Sequence, residues 1–87
     1  MELIKENEKG KKYQADGFKI YYRNKGTISG DNAENPKELI YLISGSAEIT
    51  IKEKSWKIES PAEVEFPAKT PHKFKSLTDT IFLVFEN

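Results

Sequence analysis

Apolar side chains recur at every second residue along most of this chain, and no stretch sustains them at the i, i+3, i+4, i+7 spacing of a helix face. Because successive side chains of an extended strand point to opposite faces, this pattern predicts half-buried strands throughout. Phe18, Ile20 and Tyr22 alternate with Lys19, Tyr21 and Arg23; Ala47, Ile49 and Ile51 with Glu48, Thr50 and Lys52; Trp56 and Ile58 with Lys57 and Glu59. Val64, Phe66 and Phe74 continue the theme between Pro61, Pro67 and Pro71. Two segments, 39–43 and 81–85, are apolar without a break. Each is too short for a helix and reads as a strand covered on both faces.

Turn residues divide these runs. Ser44-Gly45-Ser46 is expected to close a hairpin between 38–44 and 46–51, and a second turn near 53–55 to extend it into a three-strand meander. Residues 26–36 are rich in Gly, Ser, Asn and Asp around a single large apolar residue, Ile28, and predict a loop with at most a short strand at its start. Residues 1–12 hold only Leu3 and Ile4 as an apolar pair and read as a charged lead or edge strand, leaving 13–87 as a single domain. Roughly eight short strands need their edges protected, so the expected architecture is all-β, a small antiparallel barrel or jelly roll without substantial helix.

Composition narrows the partners. With 87 residues and 37% of them hydrophobic, there is material for one modest core and no second domain. Fourteen basic side chains balance fourteen acidic ones, so no global field favours nucleic acid or an anionic membrane. The absence of cysteine removes disulfides, thiolate nucleophiles and cysteine metal sites together. No apolar stretch long enough for a secretory signal or a bilayer span occurs, and a cytoplasmic location is expected. The charges at 9–12 and 52–57 are mixed with or follow glutamates and read as solvated surface. No glycine-rich phosphate loop or nucleophile elbow is present.

Two spaced motifs carry a resemblance. In G-x5-H-x-H-x3-E-x6-G, Gly26, Glu38 and Gly45 occupy the glycine, glutamate and final glycine, while Asn32 and Glu34 stand at the histidine positions. In G-x5-P-x-G-x2-H-x3-N, Pro67 and His72 match, while Pro61, Lys69 and Ser76 replace the glycines and asparagine. Five of the ten positions agree, in the right order and separation, over about half of the chain. The sequence therefore resembles the cupin superfamily, a fold of small barrels and jelly rolls that hosts many unrelated functions.

This resemblance implies a site. Metal-binding cupins use both histidines and the glutamate of the first motif with the histidine of the second, and of these only Glu38 and His72 remain. One imidazole with carboxylates is a weak set for a transition metal, so no cofactor is expected; a divalent cation, if bound, would take Glu34, Glu38 and His72 and be held weakly. His72, the only histidine, is the candidate catalytic base, with Glu38 as its ion-pair partner. The alternative is a structural His72 packed after Pro71. Asn32, Glu34, Glu38, His72, Tyr22 and Phe74 are the candidate ligand-binding residues, and Tyr41, Trp56 and Phe66 either line the same pocket or fill the core. Three readings follow: a metal-independent module that binds or senses a small polar ligand, a metal-assisted isomerase or dioxygenase, and a structural or partner-binding module with a filled barrel. Exposed strand edges favour a homodimer.

Overall fold

A computed structural model describes residues 1–30 and 36–86. Ten strands follow in chain order: β1 (Glu2–Asn7), β2 (Gly10–Gln14), β3 (Lys19–Arg23), β4 (Ile28–Ser29), β5 (Glu38–Ser44), β6 (Ser46–Ile51), β7 (Lys54–Glu59), β8 (Ala62–Phe66), β9 (His72–Ser76) and β10 (Thr80–Glu86). They form a six-stranded sheet in the order β1-β2-β3-β10-β5-β8 and a four-stranded sheet in the order β4-β9-β6-β7, antiparallel throughout. Among the described residues no ladder joins the two sheets, so the all-β expectation is met in its jelly-roll form and not as a closed barrel. No helix among these residues is long and apolar enough to cross a membrane.

The chain changes sheet where a hairpin was expected. β5 lies in the large sheet and β6 in the small one, so Ser44-Gly45-Ser46 is a corner between sheets, and the meander reduces to the β6–β7 hairpin alone. Gly45 makes the corner feasible: its φ is +93°, and a Cβ there would run into the Asp79 carbonyl oxygen. The corner is tied to the β9–β10 turn, where the Ser46 amide donates to Thr78 Oγ1 at 3.0 Å.

Between the sheets lies one core of Ile40, Leu42, Ala47, Ile49, Val64, Phe66, Phe74, Phe82 and Val84. Aromatic rings set its depth. Tyr21 stacks on Phe82 at 4.9 Å, Phe82 meets Phe74 of the facing sheet at 4.2 Å, and Phe66 stacks on His72 at 4.2 Å.

The register of β3 decides which of its two faces lies inside. Lys12, Tyr21, Phe82 and Leu42 are cross-strand partners along one row of the large sheet, so Tyr21 faces inward with Lys19 and Arg23, and Tyr22 faces out. Hydrophobicity alone favoured Phe18, Ile20 and Tyr22 as the buried side, but those residues share the outer face with Phe85 and Tyr13, through the Phe18–Phe85 and Tyr13–Tyr22 ring contacts. Among the described residues β5 and β10 are fully covered on the inside only. Ile43 stays 54% exposed, against the both-face burial expected of so apolar a strand.

Two substitutions test the turn geometry. Gly45→Ala should lower the unfolding free energy by at least about 2 kcal/mol, from left-handed backbone strain and the carbonyl clash. Lys69, at φ +53°, occupies a left-handed position with a side chain. Lys69→Gly should therefore be neutral or stabilising, within about 1 kcal/mol, in the same denaturant titrations.

Candidate functional site

A cavity of ≈ 460 Å³ opens between the sheets beside the aromatic layer. Its apolar wall includes Ile40, Phe66, Phe74 and Phe82, and its polar wall includes Lys12, Tyr21, Arg23, Glu38 and His72. The volume falls within the range of small-molecule sites, about 300–1,000 Å³.

His72 opens β9, and its side chain is fully buried against Phe66. Its Nδ1 stands 2.9 Å from the Thr70 carbonyl oxygen, and since a carbonyl only accepts, Nδ1 carries the proton and donates. Nε2 then faces Glu38 Oε1 at 3.4 Å, too long and ill-directed for a good hydrogen bond, and Nε2 has no hydrogen-bond partner among the described residues. With both groups deprotonated, two sets of lone pairs would oppose each other.

Burial pushes the Glu38 carboxyl up from its ordinary value; His72 opposes the shift and the nearby Glu86 adds to it. Glu86 itself accepts a hydrogen bond from Lys19 Nζ at 3.1 Å, which raises the Lys19 ammonium. Gly30 closes the site beside His72: a Cβ there would sit 3.0 Å from Nε2.

The sequence candidates separate by position. Glu38, His72 and Phe74 converge on the cavity, as does Phe66. Tyr22 does not; its ring lies on the outer face against Tyr13, 40% exposed. Tyr41 meets Phe85 on that same outer face, and Trp56 is 40% exposed on the small sheet. Asn32 and Glu34 lie outside the described residues. Tyr21, Arg23, Lys12 and Gly30 line the cavity without having been singled out. The available signal was the alternation itself, which puts Tyr21 and Arg23 on one face with Lys19.

No protein family and no curated protein matches this chain by sequence. Solved structures do match by shape. A cupin superfamily protein from Desulfitobacterium hafniense superposes with a TM-score of 0.69 at 18% identity, over 82% of this chain and 67% of that one. A cupin-2 domain from Rhodospirillum rubrum gives 0.71 at 14% identity, over 85% and 55%. The chain has a cupin fold. The capsular polysaccharide assembling protein CapF from Staphylococcus aureus gives 0.79 at 13% identity, covering 97% of this chain but only 28% of CapF.

The cupin fold accounts for two departures from the motifs. Lys69, at the position of a motif glycine, keeps a left-handed backbone that glycine adopts without strain. Ser76, at the asparagine position, is buried and hydrogen-bonded to Thr80 Oγ1 at 2.9 Å. The residues present do not fit the metal of metal-binding cupins: the chain has one imidazole, and among the described residues no three ligating side chains converge.

The raised Glu38 carboxyl gives a pH dependence with a definite sign. Folded Glu38 holds its proton to higher pH than the unfolded chain does, so its contribution to stability is fully present below about 4.5 and is lost as pH rises through the folded value. Glu38→Gln keeps the neutral shape. Its melting temperature relative to wild type should therefore climb as pH is raised from about 4 to about 7. A pH-independent difference would show that Glu38 titrates as it would in water.

Proposed function

We propose that this protein is a metal-independent module that binds or senses a small polar ligand in the cavity between its sheets. The observation that carries this reading is the buried Nε2 of His72, without a hydrogen-bond partner among the described residues, on the wall of a cavity it shares with Glu38. A buried polar atom without a partner costs on the order of 1–3 kcal/mol, and a ligand that engages the partly exposed Glu38 carboxyl and turns it toward Nε2, from 3.4 Å, would recover it. The aromatic walls supply apolar contact for the ligand body, and the Glu38 carboxyl supplies a polar group that accepts when ionised and donates when protonated.

A metal-assisted isomerase or dioxygenase using Glu34, Glu38 and His72 is the competing reading. Elemental analysis separates the two: protein purified without chelator should carry well under one equivalent of any transition metal, and stoichiometric metal would overturn the proposal. Ligand binding is read by NMR. A mixture of small polar fragments should shift amide signals around Gly30, Tyr21 and His72. Ile28→Trp, which adds bulk at an exposed position on the cavity rim, should weaken those shifts while leaving the fold's spectrum intact. Shifts confined to the outer face would count against the site.

We further propose that two copies pair through the outer face of the large sheet. β5 and β10 are apolar on both faces, yet among the described residues Leu39, Tyr41, Leu83 and Phe85 are only partly covered and Ile43 is exposed. An uncovered apolar face on the central strands calls for a cover, and a symmetric pair of identical faces provides it. Ile43→Lys should shift the mass in light scattering from dimer to monomer while the strand signal in circular dichroism persists. A wild-type protein that is monomeric at high concentration would refute the pairing.

A further inference from the structure

The protein as a whole carries no net charge, but its cavity does not share that neutrality. Five cationic side chains line it, Lys5, Lys9, Lys12, Lys19 and Arg23, against two carboxylates, Glu38 and Glu86. All five come from β1, β2, β3 and the β1–β2 turn, at one end of the large sheet, and the two acids come from β5 and β10. Two of the cations are answered within the chain: Lys19 by Glu86, and Lys9 by the Ile28 carbonyl oxygen at 3.3 Å.

Among the described residues Lys5, Lys12 and Arg23 are not answered, and the last two stand together. They flank a single ring, with Lys12 Nζ 4.9 Å and Arg23 Cζ 4.8 Å from the Tyr21 centroid. Among the described residues neither has a carboxylate within ion-pair distance. The arginine is 7% exposed, and its only side-chain hydrogen bond among these residues runs from Nε to Ser29 Oγ at 3.2 Å. Among the described residues this guanidinium has one neutral acceptor, Ser29 Oγ, beside the Tyr21 ring, and its remaining N–H groups are not sealed from solvent, so they are available to a ligand at the cavity wall. Burial also pulls the Lys12 ammonium down, and repulsion from Lys19 and Arg23 adds to it. Such a cluster stands to gain from an anion.

We propose, building on the ligand-binding reading above, that the ligand is a small organic acid whose carboxylate is held by Arg23 and Lys12 beside the Tyr21 ring and whose apolar body lies against Phe74 and Phe82. A forked guanidinium matches a carboxylate in geometry as well as charge, and the neighbouring aromatic floor suits a flat or hydrocarbon body. Glu38 and His72, on the acidic side, meet the far end of the ligand. A ligand with a cation at the Arg23 end is excluded by repulsion.

Three isosteric probes, benzoate, benzamide and benzamidine, test the charge directly by calorimetry on the purified protein. Benzoate should bind about ten- to hundredfold more tightly than benzamide, benzamidine should not bind detectably, and added sodium chloride should weaken benzoate alone. Lys12→Met should cost benzoate about tenfold and leave benzamide unchanged. Lys11→Met, one residue away on the outer face, removes the same charge and should change neither. Arg23→Lys, which keeps the charge but loses the fork, should give an intermediate loss if the fold is retained. If benzoate and benzamide bind equally, or benzamidine binds best, the organic-acid inference fails while the cavity stands as a ligand site. If none of the three binds, both fail.

Discussion

The aromatic contact between the two sheets is the constraint on which the rest of the structure depends. Tyr21, Phe82 and Phe74 run as a continuous column from the large sheet to the small one, and Phe66 meets His72 across the same gap. Facing sheets lie about 10 Å apart, a spacing that large interdigitating side chains fill. Here the rings hold the sheets apart and pack one end of the interior solidly. They also form the floor of the cavity beside them, so core and site share side chains.

That sharing shapes the electrostatics. A polar group on the cavity wall stands next to hydrocarbon and is partly removed from water, which raises the Glu38 carboxyl and lowers the Lys12 ammonium. The charges are sorted by strand, basic on β1–β3 and acidic on β5 and β10, so the cavity carries a gradient along the large sheet. Similarity to cupin structures establishes the fold and nothing about its chemistry, since one fold carries many functions. What distinguishes this chain is what stands at the familiar positions: a lone imidazole whose Nδ1 is committed to the Thr70 carbonyl, and the Glu38 carboxyl 3.4 Å from its Nε2.

The sequence by itself determined the strand content, because a two-residue period has one physical reading and local sterics suffice to impose it. It also located Glu38 and His72, because motif spacing survives the loss of half its residues, and even Lys69 keeps the backbone conformation of the glycine it replaces. Alternation, however, says which side chains share a face and not which face is inside. The more apolar set of β3 points outward, and only pairing with β2 and β10 turns Tyr21 and Arg23 into the cavity. The Gly45 corner shows the same limit: Ser-Gly-Ser marks a turn, but whether the next strand pairs with the last or crosses to the other sheet depends on where β9 and β10 lie. The cationic wall, gathered from strands whose residues are each unremarkable and balanced by acids elsewhere, exists only once the tertiary structure has brought β1, β2 and β3 to one end of the sheet, because charge density is a property of proximity and a chain of zero net charge gives no sign of it.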